Sequence, residues 1–135
     1  MADTDDISGR SAQRTFVVAA EDLAVALGSG DVPVLATPRL IAWLEAATVD
    51  AVAGALPEGS TTVGTAIEVD HVAASPLGAT ITVSATVRTQ QGKLVVFECE
   101  AVDSSHATPT VIAHGTISRA VVDRERFLAR LRQGR

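Results

Sequence analysis

The sequence predicts an α+β fold in which an antiparallel sheet wraps around one long helix. Residues 38–53 form a charge-poor segment whose apolar residues recur with the helical period. From Thr61 onward the period changes to that of β-strands, and the predicted strands are joined by short connections. Short turns favour antiparallel pairing, and strands segregated from helices are typical of the α+β class.

The first predicted strand is the β-branched and aromatic run at residues 15–19. Residues 1–13 before it are polar and lack the apolar stretch of a targeting signal, so we expect a mobile N-terminal arm and a cytoplasmic location. Residues 14–135 are expected to form a single domain. After the first strand, residues 20–27 can form a short helix that ends at the turn-prone residues 28–31.

The long helix is predicted to start where Pro38 follows Thr37. A threonine there can cap the free amides of the first turn, and proline is favoured at the first helical position. The apolar face of the helix is defined by spacings of three and four between Leu40, Trp43, Leu44, Ala47 and Ala51. Pro57 and the glycines on either side of it end the pattern.

Four strands are predicted after the helix, at residues 61–72, 80–88, 94–102 and 110–122. In the first of these, strict alternation places on one face Val63, Thr65, Ile67, Val69 and His71. Asp123 is then positioned to cap a terminal helix. A helix as poor in charge as 38–53 needs to be covered, and a curved sheet around it is the hotdog architecture. The open edges of such a sheet favour pairing with a second copy, so we expect a homodimer.

The composition excludes several classes of protein. The chain has 135 residues, of which 47% are hydrophobic, so it can form one core without disulfides. Its single cysteine cannot form an internal disulfide, and no uncharged apolar run reaches the roughly 20 residues of a membrane span. The formal charge of −5 disfavours binding to nucleic-acid phosphates. Metal-ligand spacings, phosphate loops and dinucleotide motifs are absent from the sequence, so neither a metal nor a cofactor is expected.

Three polar residues in apolar surroundings are candidates for chemistry. Glu45 interrupts the apolar helix, so it lies either at the wet edge of that helix or in a site that uses a carboxylate. His71 falls on the apolar face of its strand, either as a satisfied core or rim residue or as a proton shuttle near neutral pH. N-capping alone explains Thr37, but its hydroxyl also lies at a helix N-terminus, where negative charge is stabilised.

Six motifs contain or follow these residues: VLATP at 34–38, LEAA at 44–47, TVGT at 62–65, HVAASPLG at 71–78, GT at 115–116 and VDRERF at 122–127. Together they resemble the fluoroacetyl-CoA thioesterase family of hotdog proteins over about residues 34–131. The combination of threonine and glutamate eight apart, with a glycine seven before a histidine, makes the resemblance fairly specific.

The resemblance implies a dimeric acyl-CoA thioesterase with its active site at the subunit interface. By position, Thr37, Glu45 and His71 match the family's catalytic trio. Gly64 matches a glycine whose backbone helps to hold the thioester, and Arg119 matches an arginine that contributes to the site. Glu45 could then orient the imidazole, activate water or form a transient anhydride, and the sequence leaves these routes open.

Two departures from the family pattern bear on the substrate. The last-strand motif of the family usually reads Gly-Thr-His-Glu-Arg, whereas this chain has GTISR at residues 115–119. The phenylalanine that gates the fluoroacetyl-specific members has no counterpart, because residues 32–36 contain none. We therefore expect a small or medium acyl-CoA substrate rather than fluoroacetyl-CoA. The alternative is a non-catalytic acyl-CoA-binding protein; a hydratase of the same fold ranks third, because its histidine and acid motif is absent.

Overall fold

The computed structural model describes residues 6–134, which form one antiparallel sheet and three α-helices. The strands are β1 (Ser11–Val17), β2 (Ser60–His71), β3 (Thr80–Gln91), β4 (Leu94–Asp103) and β5 (Thr110–Asp123). The helices are α1 (Ala24–Leu27), α2 (Thr37–Ala51) and α3 (Arg124–Arg132), and a 3₁₀ turn (Ala20–Asp22) precedes α1. The strand order is β1-β3-β4-β5-β2, with every pair antiparallel. None of the helices in this range is long and apolar enough to cross a membrane.

The core lies between α2 and one face of the sheet. The helix packs mainly on β1 and β3 and barely touches β2. Its fully buried stripe consists of Leu40, Leu44, Ala47, Thr48 and Ala51. The apolar members of this stripe belong to the same buried cluster as Ile81, Phe97 and Ile117 of the sheet, and full burial of a leucine, isoleucine or phenylalanine side chain contributes roughly 1.5–3 kcal/mol. Trp43 stacks on Phe16 of β1 with ring centroids 4.4 Å apart, so the packing fixes α2 on the sheet.

The first strand begins earlier than the sequence predicts. We expected it at residues 15–19, but β1 starts at Ser11 and therefore includes residues 11–13, which were assigned to the arm. Ile7 is also buried, and the amide of Gly9 donates to the carbonyl of Val87. The sequence of residues 11–14 lacks an apolar run because β1 is an edge strand with one face open to solvent, so its start could not be recognised. Residues 1–5 of the arm lie outside the described residues, and the predicted helix at 20–27 is split at Leu23.

A β-bulge in β2 corrects the predicted face assignment. The register with β5 shifts at Thr65, which is an extra residue on the bulged strand. Gly64 before the bulge and His71 after it both face α2, although an odd spacing of seven would place them on opposite faces of a regular strand. The expectation that Val63 shares a face with His71 is therefore wrong, because the bulge reverses the alternation between them.

The two edges of the sheet are β1 and β2. At the middle of β2, the side chain of Ile67 is 46% exposed. Ala42 and Val49 of α2 are also exposed, on either side of Glu45 along the same face of the helix. An edge strand with free backbone groups and exposed apolar side chains is a surface suited to pairing with another strand.

Candidate active site

Thr37 is the first residue of α2, and its side chain does not cap the helix. The N-cap residue is Ala36, and no side chain caps this end of α2. The predicted N-capping role of Thr37 is therefore wrong, because the helix begins one residue before Pro38 and Thr37 is already helical. The Oγ1 atom of Thr37 instead lies 2.8 Å from Nδ1 of His71.

His71 is the last residue of β2, where the strand ends beside the start of α2. The amides of Val72 and Ala73 both donate to the carbonyl of Ile112, which anchors this strand end on β5. The ring is partly buried, and burial lowers the pKa of His71 below its usual value, opposed in part by the Ala73 backbone. A neutral imidazole accepts the Thr37 hydroxyl at Nδ1 when Nε2 carries the ring proton. Nε2 is buried without a hydrogen-bond partner among residues 6–134.

Glu45 lies two turns further along α2 and contacts a buried arginine. Its Oε2 accepts a hydrogen bond of 3.0 Å from NH1 of Arg119, on β5. The same guanidinium donates from Nε to the hydroxyl of Thr62 at 2.9 Å, and from NH2 to the carbonyl of Thr62 at 3.0 Å. The Glu45 side chain is 34% exposed. It thus lies at a wet edge of the helix, one of the two positions that the sequence left open, and it is paired with a cation.

Gly64 leaves the space that the Glu45 carboxylate occupies. A Cβ at this position would lie 2.5 Å from Oε2 of Glu45 and 3.4 Å from NH1 of Arg119. The first distance is far shorter than a van der Waals contact, so any side chain at residue 64 would displace the carboxylate. Close approach, rather than an unusual backbone conformation, therefore explains the glycine.

Within one chain, the predicted site residues form two separate groups. Thr37 and Glu45 are eight residues apart on one helix, which is about 12 Å along its axis at roughly 1.5 Å per residue. Gly64 and His71 lie about 20 Å apart along β2, at roughly 3.3 Å per residue with one bulge. A single chain therefore brings Thr37 to His71, and Glu45 to Gly64 and Arg119, but it does not bring the trio of Thr37, Glu45 and His71 together.

A cavity of about 320 Å³ opens beside the Thr37–His71 pair. Its apolar lining consists of Ala24, Val32, Val34, Leu35, Val72, Ala73 and Ala74. Phenylalanine, tyrosine and tryptophan are absent from its lining within residues 6–134. A second groove, of about 310 Å³, lies beside the end of α2 and the start of β2, next to Val49 and Pro57. The first cavity is an open depression whose aliphatic wall lies beside the Thr37 hydroxyl and the His71 ring.

The sequence analysis missed three residues that hold this site in place. Arg39, in the first turn of α2, pairs through Nε with Oδ1 of Asp22 at 2.9 Å. The other oxygen of Asp22 accepts the amide of Ala19, so this carboxylate ties the preceding segment to the helix start near Thr37. Thr62 was missed because the sequence does not reveal the bulge after it, and without the bulge Thr62 is assigned to the face of β2 that points away from His71. No local pattern marked Asp22, because its partner Arg39 lies 17 residues further along the chain.

Comparison with known proteins places this chain in a family. The family described as fluoroacetyl-CoA-specific thioesterase (FlK) matches residues 18–125. The fluoroacetyl-CoA thioesterase of Streptantibioticus cattleyicolor is 39% identical over 100 residues, which cover 74% of this chain and 69% of that enzyme. A solved structure of the fluoroacetyl-CoA thioesterase FlK is 34% identical with a TM-score of 0.84, covering 93% of this chain and 95% of that one.

The fold extends to more distant proteins. A hot-dog-like protein from Thermanaerovibrio acidaminovorans has a TM-score of 0.82 at 24% identity, covering 93% of this chain and 90% of that one. This likeness concerns the fold alone, and it confirms the predicted hotdog architecture. The family match and the 39% identical relative show the family, and the structural likeness adds the fold. The chain belongs to the fluoroacetyl-CoA-specific thioesterase family and is a thioester hydrolase of the hotdog fold.

Proposed function

We propose that this protein hydrolyses small or medium acyl-CoA thioesters in the cytoplasm, at an active site shared by two copies of the chain. The observation that carries the proposal is the 2.8 Å contact between Thr37 and His71 beside an aliphatic cavity. Membership of a family of CoA thioesterases supports the substrate class. Thr37, Glu45 and His71 are the proposed catalytic residues, with Gly64 and Arg119 completing the site.

A two-fold pairing of β2 with its copy supports the shared site. When two antiparallel β2 strands meet around Glu68, the bulged residues 64–65 of one copy lie opposite His71 of the other. Each Thr37–His71 pair would then face the Glu45–Arg119 pair of the partner subunit. This arrangement resolves the separation of the two groups within one chain, and it covers the exposed edge of Ile67.

The proposed chemistry uses His71 as base and then as acid. Its Nδ1 takes the proton of the Thr37 hydroxyl as Oγ1 attacks the thioester carbonyl, and the proton passes to the departing CoA thiolate. Water then attacks the Thr37 ester with the same base, which releases the carboxylic acid. The negative charge of Glu45 from the partner subunit stabilises the imidazolium that forms between these proton transfers.

The cavity beside Thr37 supports an aliphatic acyl group. The resemblance places the phenylalanine gate of fluoroacetyl-specific relatives near Asp31, and the cavity lining just after that position consists of Val32 and Val34. Without an aromatic lid to distinguish fluorine from hydrogen, the binding of fluoroacetyl and short unsubstituted acyl groups should differ by less than the roughly 1–3 kcal/mol that a whole methylene contributes. We therefore propose comparable kcat/KM values for fluoroacetyl-CoA and for the short unsubstituted acyl-CoAs.

Release of free thiol from a panel of acyl-CoAs tests the proposal. Acetyl-, fluoroacetyl-, propionyl-, butyryl- and isobutyryl-CoA are supplied to the wild type and to His71→Ala. The variant should be slower by about 100-fold or more, the usual scale for loss of general acid–base catalysis. A variant as fast as the wild type excludes His71 as the base. A wild type that binds acyl-CoA in calorimetry but releases no thiol would be the acyl-CoA-binding protein of the alternative hypothesis.

A further inference from the structure

Arg119 and Thr62 form a buried unit that controls the position of Glu45. We propose that Thr62 is a positioning residue for the carboxylate of Glu45, acting through the guanidinium of Arg119. This inference rests on the proposed function, because it assigns to Thr62 a role in the reaction that Glu45 supports. Thr62 does not contact the reacting atoms itself.

The geometry of the guanidinium carries the first step. Nε and NH2 of Arg119 donate to the hydroxyl and to the carbonyl of the same residue, Thr62, at 2.9 and 3.0 Å. These two donors lie on one edge of a planar group, so the two bonds fix both its position and its plane. NH1, the remaining nitrogen, then points at Oε2 of Glu45 at 3.0 Å. If only one of the two hydrogen bonds to Thr62 were present, the guanidinium plane could rotate, and NH1 would no longer point at Oε2 of Glu45.

Because Thr62 and Arg119 are buried, water cannot take the place of the Thr62 hydroxyl as the acceptor for Nε of Arg119. Arg119 is 7% exposed and Thr62 is 8% exposed, so water has little access to Nε of Arg119 if the hydroxyl is removed. Glu45 is much more exposed than either residue. Its carboxylate therefore has other rotamers available in solvent, and the direction of NH1 decides which one is occupied.

The strand register explains why this unit forms here. Arg119 lies directly opposite Gly64 in the β2–β5 pair, and Thr62 lies opposite Val121, on the diagonal from Arg119. Because Gly64 has no side chain, the arginine can extend over it and reach Thr62. The glycine thus makes room for both the carboxylate and the cation that holds it.

Kinetics of three variants test the proposal. Thr62→Val removes the hydroxyl at nearly constant volume, Thr62→Ser keeps the hydroxyl, and Thr116→Val removes a hydroxyl from the opposite face of β5 as the matched control. With acyl-CoA substrate, Thr62→Val should lower kcat by about 10-fold or more and leave KM within about threefold, since misplacement of a catalytic group slows chemistry. Thr62→Ser and Thr116→Val should match the wild type. Thr62→Val with wild-type kcat, or Thr62→Ser as slow as Thr62→Val, overturns the proposal.

A second measurement separates this inference from the proposed function. The Nε–H of Arg119 gives an NMR signal whose exchange with solvent reports the Thr62 bond without any turnover. Exchange should be slow in the wild type and in Thr62→Ser, and about 10-fold or more faster in Thr62→Val, because a guanidinium released from the hydroxyl can turn toward solvent. Equal exchange in all three proteins overturns the positioning role. If the wild type hydrolyses no acyl-CoA, the proposed function fails, while the role of Thr62 in fixing Arg119 is still decided by this exchange.

Discussion

The hydroxyl of Thr37 and Nδ1 of His71 lie 2.8 Å apart although 34 residues separate them in the sequence. The start of α2 and the end of β2 meet only because the bulge at Thr65 turns His71 toward the helix. The same bulge leaves Gly64 on that side, beside Glu45. Each chain thus carries two halves of the proposed site. The Thr37–His71 pair lies at the end of β2, and the Glu45–Arg119 pair lies beside Gly64, before the bulge.

Mixing two inactive variants should restore activity. Thr37→Ala and Glu45→Ala each remove one half of the proposed site, so neither homodimer is active. A mixed dimer keeps one site in which Thr37 comes from one chain and Glu45 from the other. After subunit exchange of equal amounts, half of the dimers are mixed, each with one intact site of two, so activity should reach about a quarter of the wild type. Thiol release that stays at the level of the separate variants would place Glu45 and Thr37 of one chain in one site.

A charge at the centre of β2 should disrupt self-association. Ile67→Glu places carboxylates from two copies next to each other at the proposed two-fold axis, and buried like charges oppose pairing. Sedimentation should show a monomer at concentrations where the wild type is a dimer, and thiol release should be lost over the same range. Val17→Glu is the matched control, because Val17 is an exposed apolar residue on β1, the other edge strand. An Ile67→Glu protein that remains a dimer would contradict the proposed interface.

The stability of the protein should fall with acidification below about pH 6.5, the ordinary pKa of histidine. Burial lowers the pKa of His71 in the folded state, so the unfolded chain binds this proton more readily. The contribution is complete above the unfolded pKa and is lost as the pH falls toward the folded one. Urea unfolding at several pH values should show a steeper decline for the wild type than for His71→Gln. Parallel curves would mean that His71 titrates alike in both states.

The same lowered pKa predicts the pH dependence of catalysis. A base that is neutral throughout the neutral range gives a flat kcat/KM there, with an acid limb below about pH 6.5. The profile of kcat/KM for a short acyl-CoA measures this limb. A limb centred above about pH 7 would show that Glu45 of the partner subunit raises the pKa of His71 more than burial lowers it, or that a different group controls the reaction.

Gly64→Ala should reduce turnover while preserving the fold. The new Cβ would meet the end of the flexible Glu45 side chain, which can move away into solvent. We expect kcat to fall by about 10- to 100-fold, since small displacements of a catalytic group have effects of this size. Thermal unfolding within a few degrees of the wild type would show that the loss comes from the site. Unchanged kcat would remove the Glu45–Gly64 contact from the mechanism.

Gly115→Ala should instead reduce stability. A Cβ at this position would overlap the carbonyl oxygen of Glu68 and lie 2.7 Å from Cα of Val69, on the backbone of β2. Backbone atoms cannot move aside as a side chain can, so the β2–β5 pairing must open. The free energy of unfolding should fall by about 2–4 kcal/mol, whereas the exposed neighbour variant His114→Ala should change it by less than about 0.5 kcal/mol. Denaturant unfolding compares the two variants.

The parts of the fold that the sequence predicted well are those set by long periodic patterns. The prediction of α2 at 38–53 differs from the observed Thr37–Ala51 by two residues or fewer, because a long apolar stripe leaves little choice of register. The start of β1 was misplaced because its pairing with β3, rather than its own apolar pattern, makes it a strand.

The contacts among the proposed site residues could not be predicted from the sequence. Thr37 and His71 are brought into contact by the packing of α2 and by a bulge that no local pattern marks. The partnership of Arg119 with Thr62 and Glu45 depends on strand register across 57 and 74 residues of chain, which alternation within one strand cannot specify.

The bulge at Thr65 also sets a rule for sequence comparison. Seven positions separate Gly64 from His71, and the extra residue converts that odd count into the even count that a shared face needs. A related chain with six or eight positions between the same two residues would need a regular strand, and one with seven needs the bulge. Loss or gain of one residue in this interval, with the bulge retained, therefore turns the imidazole to the outer side of the sheet, out of reach of the helix that carries the hydroxyl.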